Sequence, residues 1–374
     1  MIYLDNAATT PMDRAVLEAM IPFYENNFYN PSAFYQASVK TKMQVESARR
    51  KIAGLLKVPA DTIFFTSGGT ESDNWAVRLG AFSEGEKKKH IITSAIEHPA
   101  VLNTMKYMQE KGYEVTYLKV DRNGIVDLDE LKSAIRKDTI LISVMHANNE
   151  VGSIQPIKEI GEIASQNGIL FHTDAVQTFG HIPIDIEDCH IDLLSVSAHK
   201  LYGPKGIGFL YIRNRKDFGK LLFGGSQEKS LRPGTENVPG IIGMSKAAEL
   251  SYERMDSDYI YIENLRELFI HKLKEVMPEI VVNGSPINHL PGTANITFGG
   301  ITGESLLIAL DQQGICASAG SACSAGAIEP SHVLMAMGLS AKEASRTLRF
   351  SFGRCNTKED VINTINSLKS ICHV

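Results

Sequence analysis

The feature of this 374-residue sequence that most constrains its fold is a repeated alternation of short apolar segments with helical segments. The short segments are rich in β-branched and aromatic residues, and we predict strands at residues 63–66, 91–93, 114–117, 140–144, 169–171, 193–196 and 208–211. Helical segments lie between them, and the one at 156–167 begins at a proline and ends before Gly168. Strands that are apolar on both faces predict a mostly parallel sheet with helices on both sides.

After about residue 240 the pattern changes. A long helical segment at 241–276 precedes strands at 280–282 and 294–298, a helix at 304–313, a loop rich in small residues, a strand at 347–352 and a last helix. That helix should start at Thr357, because Thr357 and Asp360 have the spacing of a capping box. The sequence therefore predicts a second, smaller α+β domain, and a chain of this length has room for two or three domains.

Composition excludes several classes of protein. The net charge is −5, from 38 basic and 43 acidic residues, and no basic stripe is available to grip nucleic acid. No apolar run approaches the roughly 18 residues of a membrane span, and the first residues do not look like a secretion signal. The five cysteines are scattered without a C-x-x-C pair, which disfavours a disulfide framework or a structural zinc site. A cytoplasmic location is expected.

Three segments at predicted strand ends carry the candidate chemistry. Residues 65–72 (Phe-Thr-Ser-Gly-Gly-Thr-Glu-Ser) run from a strand into a helix, and glycines at a helix N-terminus suit a phosphate. They lack the ending of a Walker A loop, and the chain has no G-x-G-x-x-G for a dinucleotide. A plain turn capped by threonine remains open for this segment.

The other two segments supply an acid and a lysine. Asp174 directly follows a strand, where open α/β sheets bind ligands, although it could equally cap a helix. Lys200 follows a later strand among apolar residues, and burial would make it a candidate for a Schiff base; a solvated loop lysine is the alternative. A phosphate site, an acid for a pyridine nitrogen and a lysine for an aldehyde are what a pyridoxal phosphate (PLP) enzyme needs.

The sequence resembles the NifS/IscS-type cysteine desulfurases, which are class V aminotransferase relatives with the fold type I of PLP enzymes. The resemblance runs in family order along nearly the whole chain. It rests on residues 3–11, 66–72, 97–98, 146–152, 172–177, 197–206, 232–235 and 320–323. It implies a mostly parallel seven-stranded central sheet with helices on both faces. It also implies an N-terminal arm at 1–14, a large PLP-binding domain at 15–250 and a small α+β domain at 251–374.

The resemblance also implies roles for single residues. Lys200 would bind the cofactor aldehyde, Asp174 would pair with its pyridine nitrogen, Gln177 would contact its phenolic oxygen, and His98 would stack on the ring and carry protons. Asn149 would contact the cofactor or the substrate carboxylate, which Arg349 would clamp, as suits a guanidinium. The implied phosphate ligands are Gly69, Thr70, Ser197 and His199, with Thr235 reaching in from the partner subunit of a homodimer.

Cys323 lies in a run of small residues, where a reactive cysteine is more expected than a packed one. The resemblance implies that it takes sulfur from L-cysteine as a persulfide, leaves L-alanine, and passes the sulfur to an acceptor or an iron–sulfur scaffold protein. No metal is expected at the PLP site, although Cys323 is a candidate for transient iron–sulfur ligation.

Two alternatives remain open within the PLP class, a selenocysteine lyase and a small-amino-acid aminotransferase, and neither would need Cys323. A non-catalytic scaffold would have no reason to keep Lys200. One departure from the family lies at residues 29–35 (Tyr-Asn-Pro-Ser-Ala-Phe-Tyr), where aromatic side chains replace small ones and an imidazole at the expected entrance of the site. This departure leaves substrate access, the rate and the preferred sulfur acceptor open, and it does not affect the core chemistry.

Overall fold

The structure, a computed structural model, describes residues 1–82, 89–214, 219–319 and 330–373. Within these ranges the strands are β1 Ile2–Tyr3, β2 Ile63–Thr66, β3 His90–Ser94, β4 Glu114–Leu118, β5 Thr139–Ser143, β6 Leu170–Asp174, β7 Leu193–Ser197, β8 Gly208–Ile212, β9 Val281–Asn283, β10 Thr293–Thr297, β11 Ile315–Cys316 and β12 Thr347–Ser351. The helices are α1 Arg14–Met20, α2 Pro22–Glu25, α3 Gln36–Leu55, α4 Gly69–Phe82, α5 Pro99–Glu110, α6 Leu128–Ala134, α7 Ile157–Gln166, α8 Val238–Val276, α9 Gly303–Gln312, α10 His332–Ala336, α11 Ala341–Ala344 and α12 Lys358–Cys372.

The central sheet has seven strands in the order β2-β8-β7-β6-β5-β3-β4. Strand β8 is antiparallel to both of its neighbours, β2 and β7, and the other pairs are parallel. The predicted mostly parallel seven-stranded sheet is therefore confirmed. Because β8 separates β2 from β7, all strands except β8 have their carboxyl ends at the same edge.

Helices cover both faces of this sheet, and each face has its own apolar core. The side chains of β2 alternate between the two cores: Ile63 and Phe65 pack with residues of α3, α7 and α8, whereas Phe64 packs with residues of α4 and α5. Every residue of β2 is buried. This burial on both faces explains why the strands of the sheet read as continuous apolar runs.

A third core lies under the antiparallel sheet β12-β10-β9 and contains side chains of α9, α12 and the second half of α8. The N-terminal segment joins it, because Leu4 is fully buried there and β1 pairs in parallel with β11. Helix α12 begins at Thr357 with the expected capping box, in which Thr357 and Asp360 each bond the other's backbone N–H.

Helix α8 is 39 residues long and contributes to two cores, with Met244 in the core of the central sheet and Phe269 in that of the small sheet. The predicted domain boundary at residue 250 therefore falls inside a continuous helix, and the division into arm, large domain and small domain stays a prediction. Within the described ranges, no helix is both long enough and apolar enough to span a bilayer.

Candidate active site

The candidate site lies where β2, β6 and β7 end, at one edge of the central sheet. These strands finish at Thr66, Asp174 and Ser197, and a 3-10 turn at Ala198–Lys200 follows β7 directly. Gly208 of β8 pairs with Thr66 on one side and with Ser197 on the other, so it lies between the ends of β2 and β7. Parallel α/β sheets bind their ligands outside this edge.

The turn from β2 into α4 forms a tight backbone cradle. A Cβ placed on Gly69, the first residue of α4, would lie 2.7 Å from Val176 Cγ2, and one on Gly208 would lie 2.7 Å from Gly68 Cα. Gly68 has a φ of +149°, which favours glycine. The first N–H groups of α4 have no acceptor within the helix, so the cradle can hold an anion there. The Ser197 hydroxyl lies beside it, because Oγ is 3.5 Å from the position of a Cβ on Gly68.

Asp174 is buried at the end of β6, where its Oδ1 accepts the N–H of Val176 at 2.9 Å. Burial raises the pKa of this carboxyl to about 6, while the charge of Lys200 lowers it. A second buried acid, Asp73 of α4, lies close by, and burial together with the charge of Asp174 raises its pKa well above the usual range. Two neighbouring buried carboxyls favour a cationic partner for one of them, which is what a protonated ring nitrogen provides.

Lys200 is largely buried, and its Nζ donates to two backbone carbonyls of the N-terminal segment, Ala7 O at 2.6 Å and Ala8 O at 2.7 Å. Burial and the charge of Arg349 lower the pKa of Lys200 to about 8, against the opposing effect of Asp174 and Asp5. A lysine whose pKa is about 8 is partly neutral at pH 7, and its neutral amine is a nucleophile toward a carbonyl carbon.

His98 is the N-cap of α5, and its Nδ1 accepts the backbone N–H of Ala100 at 3.1 Å. Burial, followed by the charge of Lys200, lowers the pKa of the imidazole to about 4. The ring is therefore neutral at pH 7, and because Nδ1 is an acceptor, the ring proton is on Nε2. His98 also lines an open cleft of about 470 Å³ together with Thr70.

The N-terminal segment also contacts Gln177 and His199. Gln177 Nε2 donates to Ala7 O at 3.0 Å, the same carbonyl that accepts from Lys200, and His199 Nδ1 lies 3.2 Å from Thr9 Oγ1. Burial and the charge of Lys200 lower the pKa of His199 to about 4. These contacts bring Lys200, Gln177 and His199 together along residues 7–9.

Arg349 of β12 reaches the same region from the small sheet. Its Nη1 donates to Asn149 O at 2.8 Å, and its Nη2 forms an ion pair of 2.7 Å with Asp5 Oδ1. The side chain of Arg349 is 5% exposed, and within the described residues its Nε is buried without an acceptor. An unpaired guanidinium N–H in a buried position suits a carboxylate ligand.

Two predicted residues are not brought to this cluster. Thr235 is exposed on the segment that precedes α8, where the neighbouring Arg232 forms an ion pair with Glu71 of α4 at 2.8 Å. Cys323 lies outside the described residues. The other predicted residues lie at or just after the strand ends, on the cradle, at the N-terminus of α5 (His98), or at the contact between Arg349 and Asn149.

Several groups of the candidate site have no role that the sequence predicts. The carbonyls of Ala7 and Ala8 and the carboxylate of Asp5 belong to residues 3–11, which carried the family resemblance but gave no sign of these contacts. Glu97 is 1% exposed, and burial raises its pKa to about 8, so it is a neutral acid beside His98. The only available signal was its place next to His98 in the sequence.

Comparisons with known proteins identify the family of the chain and its fold. Residues 2–363 match the family described as class-V aminotransferase. The cysteine desulfurase IscS of Dictyoglomus turgidum is 50% identical over 370 residues, 99% of this chain and 94% of that protein. A solved NifS-like protein has a TM-score of 0.94 at 39% identity, covering 100% of this chain and 99% of its own. SspA, solved in complex with cysteine, has a TM-score of 0.84 at 38% identity, covering 96% of this chain and 100% of its own. The chain therefore belongs to the class-V aminotransferase family, whose PLP-dependent members have the fold type I architecture found here.

Proposed function

We propose that this chain is a cysteine desulfurase, a PLP-dependent sulfurtransferase that converts L-cysteine to L-alanine and holds the released sulfur as a persulfide on Cys323. The observation that carries the proposal is the meeting of Lys200, Asp174 and His98 at one sheet edge, beside a glycine cradle, in a chain of this family. The identity of about 50% to cysteine desulfurases over nearly the whole chain supports the substrate.

The residues present fit the cofactor. The backbone N–H groups at the start of α4, from Gly69 onward, would hold the phosphate together with Thr70, Ser197 and His199, and Gln177 would contact the phenolic oxygen. The buried pair of acids fits a cationic ring nitrogen at Asp174, and the depressed pKa of Lys200 fits attachment to an aldehyde. When bound, PLP supplies an electron sink for the bond changes at the substrate α-carbon.

Lys200 acts as a base once its amine is free. Its lowered pKa means that the neutral amine is available to take a proton from the substrate near neutral pH. The carbonyls of Ala7 and Ala8 accept hydrogen bonds from Nζ, so the protonated form is also held in place. Lys200 can therefore take a proton at one carbon and return it at another without leaving the site.

His98 supplies a second proton-transfer group. The N–H of Ala100 fixes Nδ1 as an acceptor, so Nε2 is the atom that gives up and regains a proton. Because its pKa is lowered to about 4, the imidazole is neutral throughout the physiological range and does not carry a competing charge. A neutral imidazole donor suits protonation of a developing negative charge.

Substrate is oriented by Arg349 and Asn149. The unpaired Nε–H of Arg349 offers a place for the α-carboxylate of L-cysteine, and the backbone of Asn149 fixes the guanidinium from the other side. The Cys323 thiolate then attacks the sulfur of the substrate. An S–S bond forms on Cys323, the C–S bond breaks with its electron pair left on carbon, and a proton completes L-alanine.

We also propose that the enzyme is a homodimer, in which Thr235 contacts the phosphate held by the partner subunit. A set of apolar side chains on α1, α3 and the segment between them is exposed and is suited to cover by a second copy: Leu17, Ile21, Tyr24, Phe28, Phe34, Tyr35, Val39 and Met43. Phe34 is 100% exposed. The sulfur acceptor would be a carrier or iron–sulfur scaffold protein in the cytoplasm, with transient cluster ligation by Cys323.

The test is to incubate the purified holoenzyme with L-cysteine and a reductant, and to quantify both alanine and sulfide. The proposal predicts equal amounts of the two, and Lys200→Ala should abolish both. Alanine formation that requires a keto acid would instead identify an aminotransferase. Activity confined to L-selenocysteine would identify a selenocysteine lyase. Either result would replace the proposed function.

A further inference from the structure

The ion pair between Asp5 and Arg349 joins the N-terminal segment to the small sheet inside the candidate site. Asp5 Oδ1 accepts from Arg349 Nη2 at 2.7 Å, while the opposite nitrogen, Nη1, donates to Asn149 O at 2.8 Å. Two of the three guanidinium nitrogens are therefore held by the protein. Since Arg349 is almost fully buried, these two contacts fix the plane of its guanidinium group.

What remains is one edge of the guanidinium. Nε is buried and, in the described residues, has no acceptor, and Nη2 has a second hydrogen beyond the one given to Asp5. Nε–H and an Nη2–H can together bind a carboxylate side-on through two parallel hydrogen bonds, and Asp5 accepts from Nη2 but not from Nε. Among the described residues, Nε is thus the atom of Arg349 that is available to a carboxylate.

The position of Asp5 is itself held by its neighbours. Its backbone carbonyl accepts from the Tyr3 hydroxyl at 3.0 Å, and Asp5 bridges in parallel to Ser351, two residues after Arg349 on β12. The next residue, Asn6, donates to Ser351 O through its side chain at 2.8 Å. The N-terminal segment is therefore fixed to β12, the strand that carries Arg349. Contacts of Tyr3 before Asp5 and of Asn6 after it hold the backbone that positions the Asp5 carboxylate.

We propose that Asp5 is a positioning residue for substrate: its carboxylate holds Arg349 so that the Nε–Nη2 edge stays aimed at the α-carboxylate of the amino acid. This inference rests on the proposed role of Arg349 in binding L-cysteine. Asp5 does not touch the reacting atoms; it acts through Arg349. The ligand class it selects is an α-amino acid with a free carboxylate.

The charge of Asp5 has a second consequence at Lys200. The positive charge of Arg349 lowers the pKa of Lys200, whereas Asp5 and Asp174 raise it. Asp5 therefore offsets part of the effect of Arg349 on the lysine. A competing interpretation is that Asp5 merely occupies Arg349 and must be displaced by substrate. The two interpretations predict opposite changes in affinity when Asp5 is removed.

The experiment compares Asp5→Ala and Asp5→Asn holoenzymes with the parent, using two amines that bind without turnover. L-alanine has the carboxylate, and ethylamine is the same molecule without it. Dissociation constants come from the change in cofactor absorbance on titration, and KM and kcat come from sulfide release with L-cysteine. Asp13→Asn serves as the matched control. Asp13 lies on the same N-terminal segment as Asp5, but it forms its ion pair with Arg354 and not with Arg349.

We expect Asp5→Ala to raise the dissociation constant of L-alanine and the KM of L-cysteine by about tenfold or more. Ethylamine affinity should stay within about twofold of the parent value, because ethylamine has no carboxylate. Any change in kcat should be smaller than the rise in KM, because Asp5 reaches the chemistry only through its charge near Lys200. Asp5→Asn keeps the acceptor oxygen without its charge and should fall between the parent and Asp5→Ala. If Asp5→Ala fails to fold, Asp5→Asn still gives the same comparison.

Tighter binding of L-alanine by Asp5→Ala would overturn the inference and identify Asp5 as a competitor of substrate. Equal losses for L-alanine and ethylamine would also overturn it, because they would indicate general damage to the site. The proposed function is tested separately by the parent: if the parent releases sulfide and Arg349→Lys raises KM, a failure at Asp5 concerns Asp5 alone.

Discussion

Four titratable groups of the site, Glu97, His98, Asp174 and Lys200, have pKa values moved by desolvation, although only Glu97 and Asp174 are fully buried and His98 keeps an exposed surface. The pKa of His98 falls to about 4 and that of Lys200 to about 8, whereas that of Asp174 rises to about 6 and that of Glu97 to about 8. In each case burial is the largest cause and favours the uncharged form. The bases of the site are therefore closer to neutral at pH 7 than free side chains would be, which suits proton transfer.

His98 has two separable functions, as a helix cap and as a proton carrier. Asparagine is also a good N-cap, so His98→Asn should keep the bond to the Ala100 N–H while losing the imidazole. We expect kcat for sulfide release to fall by about 10²- to 10⁴-fold, with the melting temperature close to that of the parent.

His98→Ala is the matched comparison. The His98→Ala variant loses the helix cap as well as the imidazole. Its free energy of unfolding should fall by about 1 kcal/mol, and its kcat should fall as much as that of His98→Asn. A kcat for His98→Asn within threefold of the parent would show that the ring does not transfer a rate-limiting proton.

Glu97 predicts a dependence of stability on pH. Its carboxyl accepts the Met145 N–H and is bonded by the Ser94 hydroxyl, and its pKa is raised to about 8 in the folded chain. The folded state holds this proton more tightly than the unfolded state does, so stability is lost as the pH rises from about 5 to about 8. The loss attributable to Glu97 is at most about 1.4 kcal/mol per pH unit.

Glu97→Gln removes the titrating group, so its melting temperature should fall less between pH 6 and pH 8 than that of the parent. Glu359→Gln, at an exposed position on α12, is the control and should follow the parent. Parallel melting curves for parent and Glu97→Gln across this range would show that Glu97 is ionised in the folded protein.

At the scale of elements, the cradle depends on how closely α4 approaches the segment after β6. Gly69→Ala places a Cβ 2.7 Å from Val176 Cγ2, which must move α4 or Val176. We expect PLP to dissociate about tenfold more readily and the free energy of unfolding to fall by about 1–3 kcal/mol.

Gly54→Ala in α3 is the matched control, because its Cβ would meet no atom within 4 Å. It should leave PLP binding unchanged and stabilise the chain by about 0.5–1 kcal/mol. Fluorescence of bound PLP during dialysis measures retention in both variants. Equal retention by Gly69→Ala and Gly54→Ala would contradict the placement of the phosphate on this turn.

The elements that sequence predicted well are those with a strong local signal. The strands of the central sheet are buried on both faces and therefore read as apolar runs, and α12 has both its capping box and a buried stripe at Val361, Ile365 and Leu368. Strand β1 has only two residues, Ile2–Tyr3, and its pairing with β11 depends on contacts over 300 residues away, so no local pattern predicts it.

The site residues that could be predicted also have a local sequence signal, whereas the missed ones depend on contacts between distant parts of the chain. Residues at strand ends, such as Asp174 and Lys200, could be placed because the carboxyl ends of parallel strands share an edge. The Asp5–Arg349 pair links two segments across the whole chain, and the backbone carbonyls of Ala7 and Ala8 have no side-chain identity to read. Such contacts become visible only once the fold is known.

For the whole molecule, the N-terminal segment and α8 connect the two parts that build the site. Residues 3–8 contact β12, β11 and Lys200, and α8 runs through two cores, so the small sheet is attached to the central sheet at two places. Arg349 lies in a strand of the small sheet, whereas Lys200 lies in the turn that follows β7 of the central sheet. Their relative position therefore depends on these connections.

Dimer formation is the prediction at this scale. We expect the holoenzyme to sediment as a dimer and Phe34→Asp to shift it toward monomer, because the exposed apolar set on α1–α3 would then carry a charge. Ile287→Asp, at an 83% exposed apolar position on the loop between β9 and β10, is the control and should leave the dimer intact.

Thr235→Val should keep the dimer while weakening PLP retention by about tenfold, if Thr235 donates to the partner's phosphate. A parent that sediments as a monomer and still turns over L-cysteine would contradict both expectations.

The role of Cys323 as the sulfur acceptor is tested by the fate of sulfur in Cys323→Ser. Serine is close to cysteine in size but is a poor nucleophile toward sulfur at neutral pH. We predict that Cys323→Ser keeps the cofactor absorbance and its change on adding L-cysteine, yet releases neither sulfide nor alanine. In the parent, alkylation after substrate addition should find a persulfide on Cys323 and on no other cysteine. Sulfide release by Cys323→Ser at the parental rate would contradict the account.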